Sequence, residues 1–406
     1  MDSLTQITLG AAVGEAVLGR KAGNRAMLWG AVGGTIPDLD VFANFVTDEM
    51  TALAFHRGIS HSFFFAVLAP FAFGWLTHRL YQSGLYQRTG YRVGASVIVI
   101  GFVLGFVNLV PYLITQNFSL PVLVWTLGIG AFFLLLLWLF YWRKPAREVH
   151  TSYRDWVLLW FWAIFTHPLL DACTPYGTQL FQPFWDYRVA FNTIAVVDPI
   201  YTLPFLLCLL IAMRFTREHP RRRWFNWLGI SLSSAYLVFT FYHKMRIDSI
   251  FERSLQEQGI TYHRYTTSPT IFNNVLWQGT AEGDTAYYHG MYSFFDPEER
   301  VTSFATLPKN HDLLEGLENE RDLRILRWFS KDYYNVLRRP DGTLQLNDLR
   351  YGSGDGTFDE PSDYIFRFTL EEKNGRWVAH QTREDARVDS GAFRQLWDRM
   401  MGKVEQ

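Results

Sequence analysis

The chain has 406 residues, 49% of them hydrophobic and 17% aromatic, yet a mean hydropathy of -0.01 and a formal net charge of -1 would suit an ordinary soluble protein. That average conceals two regimes: up to His243 only 29 of 243 residues are charged, whereas 48 of the remaining 163 are. The first part is membrane-like and the second soluble-like. No basic excess of the kind nucleic acid demands is present, and two cysteines, Cys173 and Cys208, exclude a disulfide framework or a CxxC metal knuckle.

A bilayer core needs about 20 apolar residues per helix. In chain order, two weaker segments come first, roughly 4–19 and 26–37, rich in small residues (Gly10, Ala11, Ala12, Gly14, Ala16; Gly30, Ala31, Gly33, Gly34) that suit close helix packing. The first lacks a basic start and a small-residue cleavage site, so it reads as a retained helix and not as a signal peptide. Six longer spans follow at roughly 62–82, 93–115, 120–142, 155–173, 196–214 and 224–242. The expectation is mostly α: a polytopic membrane bundle of about eight helices over residues 1–243, with the first two at the short end.

The basic residues orient this bundle. Arg20, Lys21 and Arg25, then Arg79, Arg88 and Arg92, then Arg143, Lys144, Arg147 and Arg154, then Arg214, Arg217, Arg221, Arg222 and Arg223 fall in alternate inter-helix loops, while the other loops hold only Arg57 and Arg188. Positive charge marks the cytoplasmic side. That places the loops around 38–61, 116–119 and 174–195, and everything after residue 243, outside the cytoplasm of a bacterial-type inner membrane; Lys244 and Arg246 alone dissent. Residues 244–406 then change to short alternating runs joined by TAEGDT, RRPDGT and EKNGRW, which are hairpin signals, with helical stretches at 311–330 and 391–402. An extracytoplasmic α+β domain with an antiparallel sheet is expected there.

The polar residues of the apolar part collect on that outer face. Asp38 and Asp40 stand in TIPDLD, His56, Arg57, His61 and Ser62 in HRGISHS, and His167 and Asp171 in THPLLD. Singly, each motif has a plain explanation: a hydrogen-bonded core pair for HxxxD, a helix cap for PDLD, an interfacial anchor for HRGISHS. Together they are how separate helices build a metal site, because ionisable groups at membrane depth are costly. His167 and Asp171, four apart, share a helix face. His56 and His61, five apart, do not, but Gly58 permits a bend between them. Imidazole and carboxylate ligands suit one or two zinc ions, or manganese where oxygens dominate. Asp2 and Gln6 at the start of the first helix and Asp198 at the start of the seventh lie on the same side. Glu15 reads as an internal pairing partner.

At these residues the sequence resembles the YdjM-like family of inner-membrane-associated metal-dependent hydrolases. The resemblance rests on MDSLTQITLG, GGTIPDLD, HRGISHS and THPLLDACTPYGT, covers roughly the first 200 residues, and implies a membrane hydrolase. Many relatives carry His where this chain has Gln6.

The expected function is metal-assisted hydrolysis with Asp38, His56, His61, His167 and Asp171 as ligands. Asp40 then orients water or acts as base, Arg57 clamps an anionic group, and Ser62 joins them as a catalytic residue. Position at the headgroup level points to membrane lipids as partners and to a phospholipid or other amphipathic phosphoester as substrate, not to nucleic acid. Two rivals use the same cluster: a metal or proton transporter, which would place it nearer the midplane and often shows inverted repeats, and a non-catalytic membrane assembly or signalling protein.

Overall fold

The computed structural model describes residues 1–115, 120–143, 148–353, 357–373, 375–382 and 390–403. The expected loop 116–119, together with Lys144, Arg147 and the Asn374 of the third hairpin turn, lies outside them. The chain divides into two compact units, one of Met1–Pro70 with Leu158–Gln406 and one of Phe71–Val157.

In the larger unit, α1 (Ser3–Ala22) starts where the Asp2 carboxylate accepts the Thr5 amide at 3.1 Å and stops at Gly23, whose φ of 61° is left-handed. It pairs with α2 (Asn24–Thr35) backbone against backbone. A Cβ placed on Gly10 would come within 2.3 Å of the Gly30 carbonyl, and one on Gly34 within 2.4 Å of the Gln6 carbonyl. Small residues four apart on both helices are what allow this approach. Pro37, which has no N–H to continue the helix, then turns the chain into a 3-10 segment, Pro37–Phe45.

α3 (Glu49–Phe55) leads through a left-handed Arg57 (φ 56°) and a single 3-10 turn, Ile59–His61, into α4 (Phe63–Gln82). α5 (Thr89–Thr115), α6 (Leu120–Leu137) and α7 (Tyr153–Asp171) follow. Within Phe71–Val157, Tyr81 stacks on Trp156 with ring centroids 4.9 Å apart, and Gly74 lets α4 meet Val157, since a Cβ there would lie 2.9 Å from the Val157 nitrogen. Then come α8 (Pro199–Arg214) and α9 (Pro220–Glu257). Helices thus form at all eight expected segments. Among the described residues only α4 is both long and apolar enough to cross a membrane by itself, and α8 and Thr126–Leu135 are shorter apolar helices.

α9 runs 38 residues, well past residue 243, where its character changes from apolar to amphipathic. Its last turns bury Ile247, Ile250, Phe251 and Leu255 against Trp277, Ala281 and Tyr292 of the following sheet. The C-terminal domain contains two four-stranded antiparallel sheets where one was expected. β1 (Arg264–Pro269), β2 (Leu276–Glu282), β3 (Ala286–Ser293) and β4 (Ala305–Pro308) pair in sequence order, with Gly279 opposite Gly290. β5 (Tyr334–Arg338), β6 (Leu344–Asp348), β7 (Arg367–Lys373) and β8 (Arg376–Gln381) do the same, with Leu346 opposite Phe368.

α10 (Arg321–Ser330) lays Leu323, Leu326 and Phe329 inward, and each such side chain is worth about 1.5–3 kcal/mol of burial. α11 (Ser390–Met400) ends the chain's regular structure. Met50 of α3 is 1% exposed and belongs to the core that α10 and the second sheet share. The loop that leads to His56 is therefore moored on the C-terminal domain.

Candidate metal centre

Three chain segments meet below that mooring. The 3-10 segment presents Asp38 and Asp40 two residues apart, and at three residues per turn they leave it in different directions. Asp40 organises the HRGISH loop: its carboxylate accepts the Arg57 amide (2.8 Å) and the Ser60 hydroxyl (3.2 Å), and contacts Nδ1 of His56 (2.7 Å) and of His61 (3.2 Å). Asp38 instead faces Nε2 of both His61 and His167, 3.5 Å from each.

The last turn of α7 supplies His167 and Asp171, whose Nε2 and Oδ2 lie 3.4 Å apart, and Asp171 Oδ2 stands 3.3 Å from His61 Nε2. The two imidazole Nε2 atoms are 3.1 Å from each other. Asp38, His61, His167 and Asp171 thus each offer an atom, all within 4.8 Å of one another. A tetrahedron with ligand bonds of about 2.0–2.2 Å has edges of about 3.3–3.6 Å. Five of the six edges here measure 3.1–3.5 Å.

The surroundings settle which atoms face the centre. A carbonyl only accepts, so the 2.7 Å contact between His167 Nδ1 and the Gly34 oxygen puts the proton on Nδ1 and leaves Nε2 with a free lone pair. The Asp40 carboxylate does the same for His61. Asp171 divides its oxygens: Oδ1 accepts from Gln6 Nε2 (2.9 Å) and from the Met1 α-amino group, while Oδ2 is buried, makes no hydrogen bond and lies 3.2 Å from Arg57 Nε. Asp171 Oδ2 thus has the Arg57 guanidinium on one side and both imidazole Nε2 atoms on the other, and two carboxylate oxygens converging with two imidazole nitrogens are a donor set that suits a cation. The residues present fit a divalent ion.

The electrostatics agree. Burial opposes charge on Asp38 and Asp40, but hydrogen bonds from His167 and His61 to the first, and from His56 and His61 to the second, hold both well below the usual carboxylate range. Burial would likewise lower His61, yet its contacts with Asp171, Asp38 and Asp40 push it up to about 10. In the metal-free protein that field keeps a second proton on His61, at Nε2, which a bound ion would displace to gain the lone pair.

Other expected site residues stand further out. His56 does not join the four; it rests edge-on against Tyr176 with centroids 5.2 Å apart and bonds Asp40. Arg57 is 4% exposed and bonds the Thr174 hydroxyl at 2.9 Å. The Ser62 hydroxyl donates to the Ile59 carbonyl and accepts the Phe65 amide, closing the turn into α4. Asp198 caps α8 and accepts from Tyr236, and Glu15 pairs with Arg222. Neither reaches the centre. Sequence reasoning missed the Gly34 carbonyl, which has no side-chain signature, and Thr174, whose only signal is its place three residues after Asp171.

Four convergent ligands at helix ends, with Gln6 of α1 and Gly34 of α2 behind them, define a mostly helical protein with a candidate metal site. A family model described as the YdjM inner membrane protein matches residues 1–114 and 123–247, and the chain belongs to that family. No curated protein and no solved structure matches it.

Proposed function

We propose that this protein is a polytopic inner-membrane metallohydrolase whose substrate is an amphipathic phosphoester such as a phospholipid. The observation that carries the reading is the convergence of Asp171 Oδ2, the Nε2 atoms of His61 and His167 and an Asp38 oxygen, all within 4.8 Å of one another. A divalent ion held there would polarise a phosphoryl oxygen as a Lewis acid. Nitrogen and oxygen donors in a compact set of four favour zinc.

The chain's own residues do the rest. Asp40 and Gly34 fix the two imidazole tautomers, and Arg57 and Gln6 hold the Asp171 carboxylate in one orientation. Asp38, whose side chain is 19% exposed beside three fully buried ligands, marks the open edge through which substrate would enter. The excess of Lys and Arg in alternate loops supports eight membrane crossings, with this edge and the C-terminal domain on the extracytoplasmic side.

Metal analysis of the purified full chain tests the reading. Near-stoichiometric zinc or manganese, lost together with hydrolysis of a phospholipid and phosphoester panel in His61→Ala and His167→Ala, is the expected result. Wild-type protein that binds no divalent ion would overturn it.

A further inference from the structure

Beside the metal centre, cations and aromatic rings alternate in a ladder that leads into the C-terminal domain. Arg57, in contact with Asp171, lies 4.9 Å over the Tyr176 ring, and Arg188 lies 4.9 Å over the same ring. Arg188 also lies 5.2 Å over Phe329, and Arg350 lies 5.0 Å over Phe329 and 5.5 Å over Tyr351. Lys331, the residue that ends α10, sits 5.4 Å over the ring of Tyr187, the neighbour of Arg188. The rungs come from three places: the HRGISH loop, the 174–191 loop and the ends of α10 and β6.

The ladder is short of negative charge. Arg188 is 2% exposed and, among the described residues, has no carboxylate partner; it donates to the carbonyls of Tyr176, His56 and Gly177 at 3.4, 3.2 and 3.1 Å. Arg350 spends Nε and Nη2 on Asp348, at 2.9 and 2.6 Å, but among the described residues its buried Nη1 has no acceptor, and neither does the Tyr351 hydroxyl. Burial together with the nearby Arg350 and Arg188 pushes Lys331 down to about 8, against only a partial offset from Asp348. A buried cation without a counter-charge and buried donors without acceptors are both costly. An anion with several acceptor oxygens would relieve both.

We propose that Arg188, Lys331, Arg350 and the Tyr351 hydroxyl form a phosphate subsite, built by the C-terminal domain and the 174–191 loop, that seats the anionic head of the substrate next to the metal centre. The substrate role rests on the hydrolase reading above, while the anion site itself does not. It gives the C-terminal domain a recognition task and assigns the anion-binding role to these groups and not to Arg57, whose guanidinium is already spent on Asp171 and Thr174.

The test titrates chelator-treated full-length protein, in detergent, with inorganic phosphate and separately with dihexanoyl phosphatidic acid, so that no bound ion contributes to affinity. Tyr351→Phe removes only the unpartnered hydroxyl, and Lys331→Gln removes one peripheral charge. Each is expected to weaken phosphate binding by roughly ten- to a hundredfold, the scale of one hydrogen bond to a charged group, with the melting temperature and the zinc affinity unchanged. Tighter binding of the lipid than of inorganic phosphate identifies a headgroup as the ligand, and the reverse a free phosphate; both support the subsite. Wild-type protein that binds neither, or variants that bind phosphate as the wild type does, would overturn it. Because phosphate is read without metal, a failure of the metal site leaves this measurement intact.

Discussion

Helix α1 buries polar chemistry near both of its ends, and the two sites are settled in opposite ways. Toward its C-terminal end, Glu15 meets Arg222 fork to fork, Nε to Oε1 at 2.6 Å and Nη2 to Oε2 at 2.5 Å, while Arg222 Nη1 donates to Asn24 and to the Phe215 carbonyl. Every charge there has its partner. Near its start, Gln6 touches a cluster where three carboxylates face three imidazoles, the Arg57 guanidinium and the Met1 α-amino group, and where Asp171 Oδ2 makes no hydrogen bond among the described residues. Glu15 lies nine residues beyond Gln6, about 13 Å along the helix, so the same fold supplies both environments. A closed ion pair holds helices together; the cluster at Gln6 gathers donor atoms on one point.

The contrast can be broken most forcefully at the closed end. Glu15→Gln leaves Arg222 buried without a counter-ion and should cost about 3–5 kcal/mol of stability, seen as a large fall in melting temperature that added zinc does not repair. At the open end, His167→Ala should reduce zinc affinity by at least about 100-fold, more than the loss of any outer partner, in a titration against a competing chelator. Asp40→Asn should cost about 10- to 100-fold in the same titration, because it loosens His61 without removing a ligand. The smallest effect sharpens the comparison: Asp38→Asn in metal-free protein should cost less stability than Glu15→Gln, since its partly exposed carboxylate faces two imidazoles and strands no guanidinium. If it destabilises as much as Glu15→Gln, the cluster is a closed network and the metal reading loses its footing.

Side-chain patterns made the helices and the polar cluster legible in the sequence, because hydropathy and the spacing of His167 and Asp171 are both properties of residue type. What they left out was backbone. The left-handed turn at Arg57 decides that His61 faces the ligands and His56 faces away, and no spacing rule conveys a φ angle. The Gly34 carbonyl, which sets the His167 tautomer, is reached only because Gly10 and Gly34 let α1 and α2 touch. The end of α9 was hidden for a different reason: hydropathy falls after residue 242 while the helix persists, its later turns stabilised by packing on Trp277 and Tyr292.

That helix has a mechanical meaning. From Ile230 to Glu257 it contains neither glycine nor proline, the residues at which long helices usually bend, and its full length of 38 residues spans about 57 Å. It is a stiff rod clamped at one end by Phe205 and Cys208, which press on Gly229, and at the other by the first sheet. A displacement of the first sheet would therefore carry the far end of the helix with it, with no glycine or proline bend along Ile230–Glu257 to absorb it.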